Sequence, residues 1–220
     1  MLPMAPMYGL MFEFLYPLCN GTSITFLGKT PSPTLLLAAM KEVRPYLLIT
    51  VPLVMEKIYK SSLKPALDKP VMKVLTAIPG VRCLIFKKVR EAVLSALGGN
   101  LQMIIMGGAP LNPEVEKCFK KLGLPYTVGY GMTEAAPLLA YEACDKYVPG
   151  SCGKSVDCAT VRIDSEDPVN VVGEIQAKGD NICIGYYKNP EASAAAFTED
   201  GYLRTGDLGV IAAEGNIFIR

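Results

Sequence analysis

Leu101-Gln-Met-Ile-Ile-Met106, Gly107-Gly108-Ala109-Pro110-Leu111, Asn112 to Leu124 and Pro125-Tyr-Thr-Val-Gly-Tyr130 run without a break. The apolar run reads as a buried strand, the glycine pair as a tight loop, and the next segment as a helix. Asn112 is its N-cap, Pro113 its first residue and Gly123 its stop, with Val115, Phe119 and Leu122 on one face. A strand, a helix and a second strand in this order predict two parallel strands and an α/β fold.

Upstream, Thr34 to Arg44 reads as a helix capped at Thr34, after a turn at Gly28 to Pro33. Tyr46 to Val51 reads as a buried strand, and Pro52 opens a helix to about Lys60. Ser61 to Gly80 is interrupted by prolines and yields no clear element, whereas Lys87 to Leu97 is helical again. From about Val148 the pattern becomes short strands: Ala159 to Ile163, Gly173 to Ala177, Ile182 to Tyr186, and a hairpin from Leu208 to Ile219 turning at Glu214-Gly215. The expected organisation is an α/β subdomain over residues 1–147 and a β-rich subdomain over 148–220.

Composition narrows the chemistry. The 220 residues carry 22 basic and 21 acidic side chains, a formal charge of +1, which gives no reason to bind nucleic acid. No histidine is present, so Ser-His triads and histidine metal sites are excluded. The seven cysteines form no C-x-x-C pair; they read as reduced thiols of a cytoplasmic protein, most of them small core residues. Met1 to Leu27 carries Glu13 as its one charge, but Pro3, Pro6 and Pro17 interrupt it and Asn20-Gly21-Thr22-Ser23 breaks it. A buried segment is expected there rather than a membrane span. Lysines 57, 60, 64, 69 and 73 read as a solvated face; peripheral contact with the inner face of a membrane is the alternative.

Ligands of open α/β sheets bind beyond the carboxyl ends of the strands. Two loops leave such ends here: Gly107-Gly108-Ala109, and Gly129-Tyr130-Gly131-Met132-Thr133-Glu134. If their strands are neighbours, the loops wall one crevice. Glycines admit a ring or phosphate to the backbone, Tyr130 offers a stacking face, Thr133 a hydroxyl and Glu134 a carboxylate for Mg²⁺. The same residues could equally form two tight turns, with Tyr130 in the core and Glu134 in water. Gly153-Lys154-Ser155 is not a Walker A loop, because Val148 stands where its first glycine is required.

Taken together, Gly129-Tyr-Gly-Met-Thr-Glu134, Gly107-Gly-Ala-Pro-Leu111, Gly173-Glu-Ile-Gln-Ala-Lys-Gly179 with Gly185-Tyr186, Tyr202-Leu-Arg-Thr-Gly-Asp207, and Leu2 to Leu10 with Pro17 to Gly21 resemble the adenylate-forming (AMP-binding) superfamily. Phe86-Lys-Lys-Val-Arg-Glu91 is similar to the long-chain fatty acyl-CoA synthetase branch. The resemblance implies the α/β core of that family's N-terminal domain followed by a small β-rich subdomain. It implies ATP, Mg²⁺, a fatty acid and CoA as ligands, joined through an acyl-adenylate. Gly107, Gly108 and Ala109 would border the adenine, Gly129, Tyr130 and Gly131 would shape and stack on it, and Thr133 would bond the α-phosphate. Glu134 would reach Mg²⁺, and Asp207 would accept bonds from the ribose hydroxyls.

Amino-acid-activating relatives place an Asp where Tyr8 stands, so an amino-acid substrate is not expected. Met7, Tyr8, Met11 and Phe12, with Met4 and Leu10, suit a lipid chain. Pro6 occupies a position where many acyl-activating members have His. The resemblance also implies a Gly/Ser/Thr-rich phosphate loop upstream of Met1 and a lid lysine beyond Arg220, so the chain is expected to be inactive alone. A relative that uses aryl or short acids, and a non-catalytic nucleotide-binding module, are the alternatives.

Overall fold

The computed structural model describes residue 2, residues 4–28 and residues 32–220, so the expectations at Met1, Pro3 and Lys29 to Pro31 lie outside the described residues. The chain divides into two compact units, Met1–Leu2 with Pro17–Tyr126, and Pro3–Tyr16 with Thr127–Arg220. The compositional change near residue 148 falls inside the second.

The first unit is built on helices α3 (Pro33–Val43), α4 (Pro52–Ile58), α5 (Lys64–Leu67), α6 (Pro70–Ala77), α7 (Pro79–Ala96) and α8 (Pro113–Leu122). Its strands β1 (Leu47–Thr50) and β2 (Met103–Met106) pair in parallel, in a sheet of order β1-β2-β3 whose last member is Tyr126–Val128. The segment around α8 forms as its sequence dictates. Asn112 accepts from the Glu114 amide, Pro113 starts the helix, and Gly123 closes it in the left-handed region at φ 66°. Val115, Phe119 and Leu122 are buried, and Phe119 meets Tyr126 edge-on at 5.7 Å. Leu48, Met55, Leu97, Ile104 and Met106 complete this core.

Several boundaries differ from expectation. The cap of α3 is Ser32, whose hydroxyl accepts from the Leu35 amide, so Thr34 lies inside the helix. Pro33 fits the first turn, where no backbone donor is needed. Helix α7 begins at Pro79, well before Lys87, and α4 runs through a π-helical turn, Tyr59–Leu63, into α5. Lys64 pairs with Glu114 at 2.8 Å and Lys73 with Asp68 at 3.3 Å, so two of the five lysines are engaged within the fold.

In the second unit lie α1 (Met7–Leu10) and a π-helical turn (Met11–Leu15); of the next helix, α2 (Tyr16–Cys19), only Tyr16 belongs to it. Among described residues of the opening 27, Gly9 alone is buried, which corrects the expectation of a buried segment. Its other described apolar side chains are half-buried or, as at Leu18 and Phe26, exposed. No helix among the described residues is long and apolar enough to cross a membrane.

The rest of the second unit is two antiparallel sheets. One has the order β4 (Tyr130–Gly131), β5 (Leu138–Tyr141), β6 (Lys154–Ser155); the other has the order β10 (Ile217–Ile219), β9 (Leu203–Ile211), β8 (Gly173–Gly179), β7 (Ala159–Asp164). Helix α9 (Pro190–Ala196) precedes β9. Leu139, Ala140, Ile163, Ile175, Ala177 and Ile217 form the buried centre. Lys154-Ser155 lies on a strand and is followed by β7, where a Walker A loop would lead into a helix.

Two expectations fail in this unit. Ile182 to Tyr186 is not a strand: Ile184 is fully exposed, and the segment runs as a loop. The cysteines are mostly not core residues either, because only Cys152 is buried; no disulfide joins any of the seven.

Arg162 on β7 ties the larger sheet together. It donates to Gln176 at 2.9 Å, forks onto Asp200 at 2.5 and 3.0 Å, and stacks 3.8 Å from the Tyr202 ring centre. Gln176 is 1% exposed, so losing this donor strands a buried acceptor. Arg162→Leu is expected to lower the melting temperature by roughly 2–4 °C or more, measured by thermal denaturation. Arg162→Lys keeps the charge but not the fork or the stack, and falls between.

Candidate functional site

Strand β9 carries the most specific element. Arg204 pairs with Gln176 and Leu208 with Glu174, so Thr205, Gly206 and Asp207 stand opposite Ile175 alone. The chain bulges outward there. The bulge is stitched down at its base: Thr205 Oγ1 donates to the Ile175 carbonyl at 2.7 Å and accepts from the Asp207 amide at 3.1 Å. The Gly206 amide donates to Glu174 at 3.2 Å.

Asp207 is thereby lifted into solvent, and one of its oxygens is already held. The Tyr130 hydroxyl donates to Asp207 Oδ2 at 2.6 Å, the length of a charge-assisted bond. Tyr130 is 7% exposed and belongs to the buried centre of the unit. Burial first, and the bond to Asp207 second, push its phenol well above the usual tyrosine range. The phenol therefore stays a proton donor, and a rigid ring fixes the rotamer of an otherwise mobile carboxylate. The sequence suggests a stacking face for Tyr130; the structure places its ring in the buried centre and gives its hydroxyl a bond to Asp207, across 77 positions of sequence.

After Tyr130 the chain turns sharply. Gly131 pairs with Leu138, the Met132 amide donates to the Pro137 carbonyl at 2.8 Å, and a 3-10 turn spans Thr133–Ala135. Thr133 is exposed at the start of that turn and Glu134 is half-buried. Glu134 Oε1 accepts from the Tyr186 hydroxyl at 3.0 Å, and this bond is the first cause of the rise in the Tyr186 pKa. Among the described residues no three Cys, Asp or Glu gather to hold an ion. Glu134 is thus a single hard oxygen donor, which suits Mg²⁺ completed by phosphate oxygens and water.

The opening segment shares the second unit with these residues. Met7 and Tyr8 lie on α1, Met11 and Phe12 on the π turn, all half-buried. Tyr8 meets Phe12 edge-on at 5.5 Å. Burial and then Glu13 raise the Tyr8 phenol, so it is neutral and cannot pair an ammonium as a carboxylate would.

In the first unit, Gly107 is buried and its amide donates to the Thr50 carbonyl at 3.3 Å, extending the β1 side of the ladder. Gly108, at φ 81°, and Ala109 are exposed, and a methyl group on Gly108 would meet open space. Strands β2 and β3 are neighbours in their sheet.

An α/β unit with a glycine loop, and a β unit presenting a clamped carboxylate beside a Thr-Glu turn, define an adenylate-forming fold. The chain belongs to the AMP-binding enzyme family, whose pattern it matches over residues 1–187. Long-chain-fatty-acid–CoA ligase 4 of Saccharomyces cerevisiae is 33% identical over 239 aligned residues, covering 99% of this chain and 34% of the yeast protein. A 4-coumarate–CoA ligase of Pinus taeda is 35% identical over 159 residues, 66% of this chain and 29% of the pine protein. ATP-bound MatB from Rhodopseudomonas palustris superposes with a TM-score of 0.74 at 28% identity, over 99% of this chain and 38% of that one. A malonyl-CoA ligase with methylmalonyl-CoA and AMP bound gives 0.73 at 26% identity, over 100% and 42%. The chain spans about a third of the length of the curated relatives it matches.

Proposed function

We propose that these residues form the nucleotide- and acyl-binding part of an AMP-forming fatty acid–CoA ligase. The reading rests on one observation above the others: Asp207, raised on a bulge and oriented by the buried Tyr130, offers a fixed carboxylate to a pair of neighbouring hydroxyls. A ribose presents such a pair, and each bond it makes to an ionised carboxylate is worth about 1.5–3 kcal/mol.

The remaining roles follow the motifs. Gly107, Gly108 and Ala109 border the adenine, Gly129 and Gly131 shape the turn, and Tyr130 stacks on the adenine while its hydroxyl holds Asp207. Thr133 donates to the α-phosphate as charge develops on it during attack by the acyl carboxylate. Glu134 holds Mg²⁺, which neutralises phosphate charge when bound. Met7, Tyr8, Met11 and Phe12 line the acyl chain's path. In this division residues 1–147 supply the acyl and adenine contacts, and 148–220 the ribose contact.

Long-chain relatives at about a third identity favour a fatty acid. The 4-coumarate relative supports aryl acids as the second reading. In a longer ligase that carries the phosphate loop and the lid lysine, palmitate, coumarate and malonate compared in a pyrophosphate-release assay decide between them, palmitate being expected to turn over fastest. The 220 residues contain no loop ending in Pro-Lys-Gly, so on their own they are expected to yield no acyl-CoA. In a ligase that has that loop and a lid lysine, Thr133→Ala should lower turnover by about 10²-fold, and equal turnover would remove Thr133 from the mechanism.

A further inference from the structure

The loop 181–186, expected as a strand, instead braces the turn that carries Thr133 and Glu134. Asn181 Nδ2 donates to both the Ala135 and the Leu138 carbonyls at 2.8 Å. Its Oδ1 is buried with no partner among the described residues, so the amide is spent on holding this turn. The Cys183 amide donates to the Glu134 carbonyl at 2.8 Å, and the Tyr186 hydroxyl to Glu134 Oε1 at 3.0 Å.

The brace is itself anchored. Ser193 Oγ accepts from the Tyr186 amide at 2.8 Å, and donates to the Asn189 carbonyl at 2.7 Å. Asn189 caps α9 by accepting from the Ala192 amide at 3.1 Å. A methyl group on Gly185 would lie 2.9 Å from Ser193 Oγ, so the loop passes tightly over this helix start. Tyr186 is therefore fixed at its backbone and committed at its hydroxyl, although its ring is exposed.

We propose that Tyr186 is a positioning residue for Glu134, occupying one carboxylate oxygen and so assigning the other to a divalent cation. Groups that orient metal-binding carboxylates set metal affinity without touching the ion. The proposal rests on the reading of Glu134 as the Mg²⁺ carboxylate, and goes beyond it by naming what aims that carboxylate.

The test is calorimetric titration of the chain with ATP, at Mg²⁺ concentrations from none to saturating. Wild type, Tyr186→Phe and Glu134→Gln are compared, with Ser193→Ala as a second route to the same loop should Tyr186→Phe not fold. The Mg²⁺ concentration giving half of the metal-dependent gain in affinity is expected to rise on the order of 10-fold in Tyr186→Phe. ATP affinity without metal should change in that variant by less than about twofold, a split that loss of folding would not give. Glu134→Gln should abolish most of the metal-dependent gain.

An unshifted Mg²⁺ midpoint in Tyr186→Phe, with Glu134→Gln still shifted, overturns the positioning role alone. If Glu134→Gln is also unshifted, or the chain binds no ATP, the reading of the site falls and the positioning role falls with it.

Discussion

Asp207→Ala is expected to weaken ATP binding on the order of 10³-fold, with little change in the affinity for fatty acid. Two neighbouring charge-assisted bonds of about 1.5–3 kcal/mol each sum to roughly 3–6 kcal/mol, and every 1.4 kcal/mol is about tenfold. The truncation also removes the acceptor of the Tyr130 hydroxyl, which lies in the buried centre of the unit. Some loss of stability therefore accompanies it, about 1–3 kcal/mol for an unsatisfied buried donor. Asp207→Asn separates the two effects. It keeps an oxygen for Tyr130 and loses the charge, so it should melt near wild type yet still bind ATP poorly. Calorimetric titration and thermal melting of both variants check this, and wild-type ATP affinity in Asp207→Ala would end the ribose assignment.

Gly131→Ala is expected to cost about 3 kcal/mol or more and to disorder the turn that bears Thr133 and Glu134. The new methyl group would sit 1.8 Å from the Pro137 carbonyl oxygen and 2.8 Å from its carbon. That oxygen cannot retreat cheaply, because the Met132 amide is bonded to it at 2.8 Å and Gly131 pairs with Leu138 beside it. Here the glycine is needed for close backbone approach rather than for an unusual dihedral angle. Gly108→Ala is the useful contrast: its Cβ has space, and its cost is limited to the strain of φ 81°. Urea denaturation of the two variants ranks them, and a Gly131→Ala protein as stable as wild type would contradict the close approach.

The fold was legible where its signals are local. Asn112, Pro113 and Gly123 bound α8 because a cap side chain, a missing amide and a left-handed residue act within a few positions of themselves. The turn at Glu214-Gly215 and the strands β7 and β8 follow from the same kind of evidence. Where two local rules compete, the sequence misleads. Ser32 and Thr34 are both plausible caps, and Pro33 between them decides in favour of Ser32. Ile182-Cys-Ile-Gly-Tyr186 has the apolar alternation of a strand, but Gly185 and the demands of Glu134 hold it as a loop.

The candidate site was legible as a set of residue types and not as a set of bonds. Motif order brings Thr133, Glu134 and Asp207 to notice, yet nothing in the spacing says that Tyr130 would hold Asp207 or that Tyr186 would hold Glu134. Those bonds depend on strand registers and on a bulge, which only the folded sheet defines. The opening segment illustrates the reverse. Its apolar composition suggests burial, but its described side chains are half-buried or exposed, apart from the buried Gly9.

The bulge in β9 has an arithmetic consequence for how this protein can vary. Three residues stand opposite one, an excess of two, and side chains along a strand alternate with a period of two. The alternation is therefore in step on either side of it, so Leu203 before it, opposite Ala177, and Gly209 after it, opposite Gly173, fall on the same face and are both buried. An odd excess would turn the remainder of the strand inside out; an even one leaves the hydrophobic ladder unaware of the interruption. The bulge bearing Asp207 therefore interrupts the strand without changing which of its later side chains face inward.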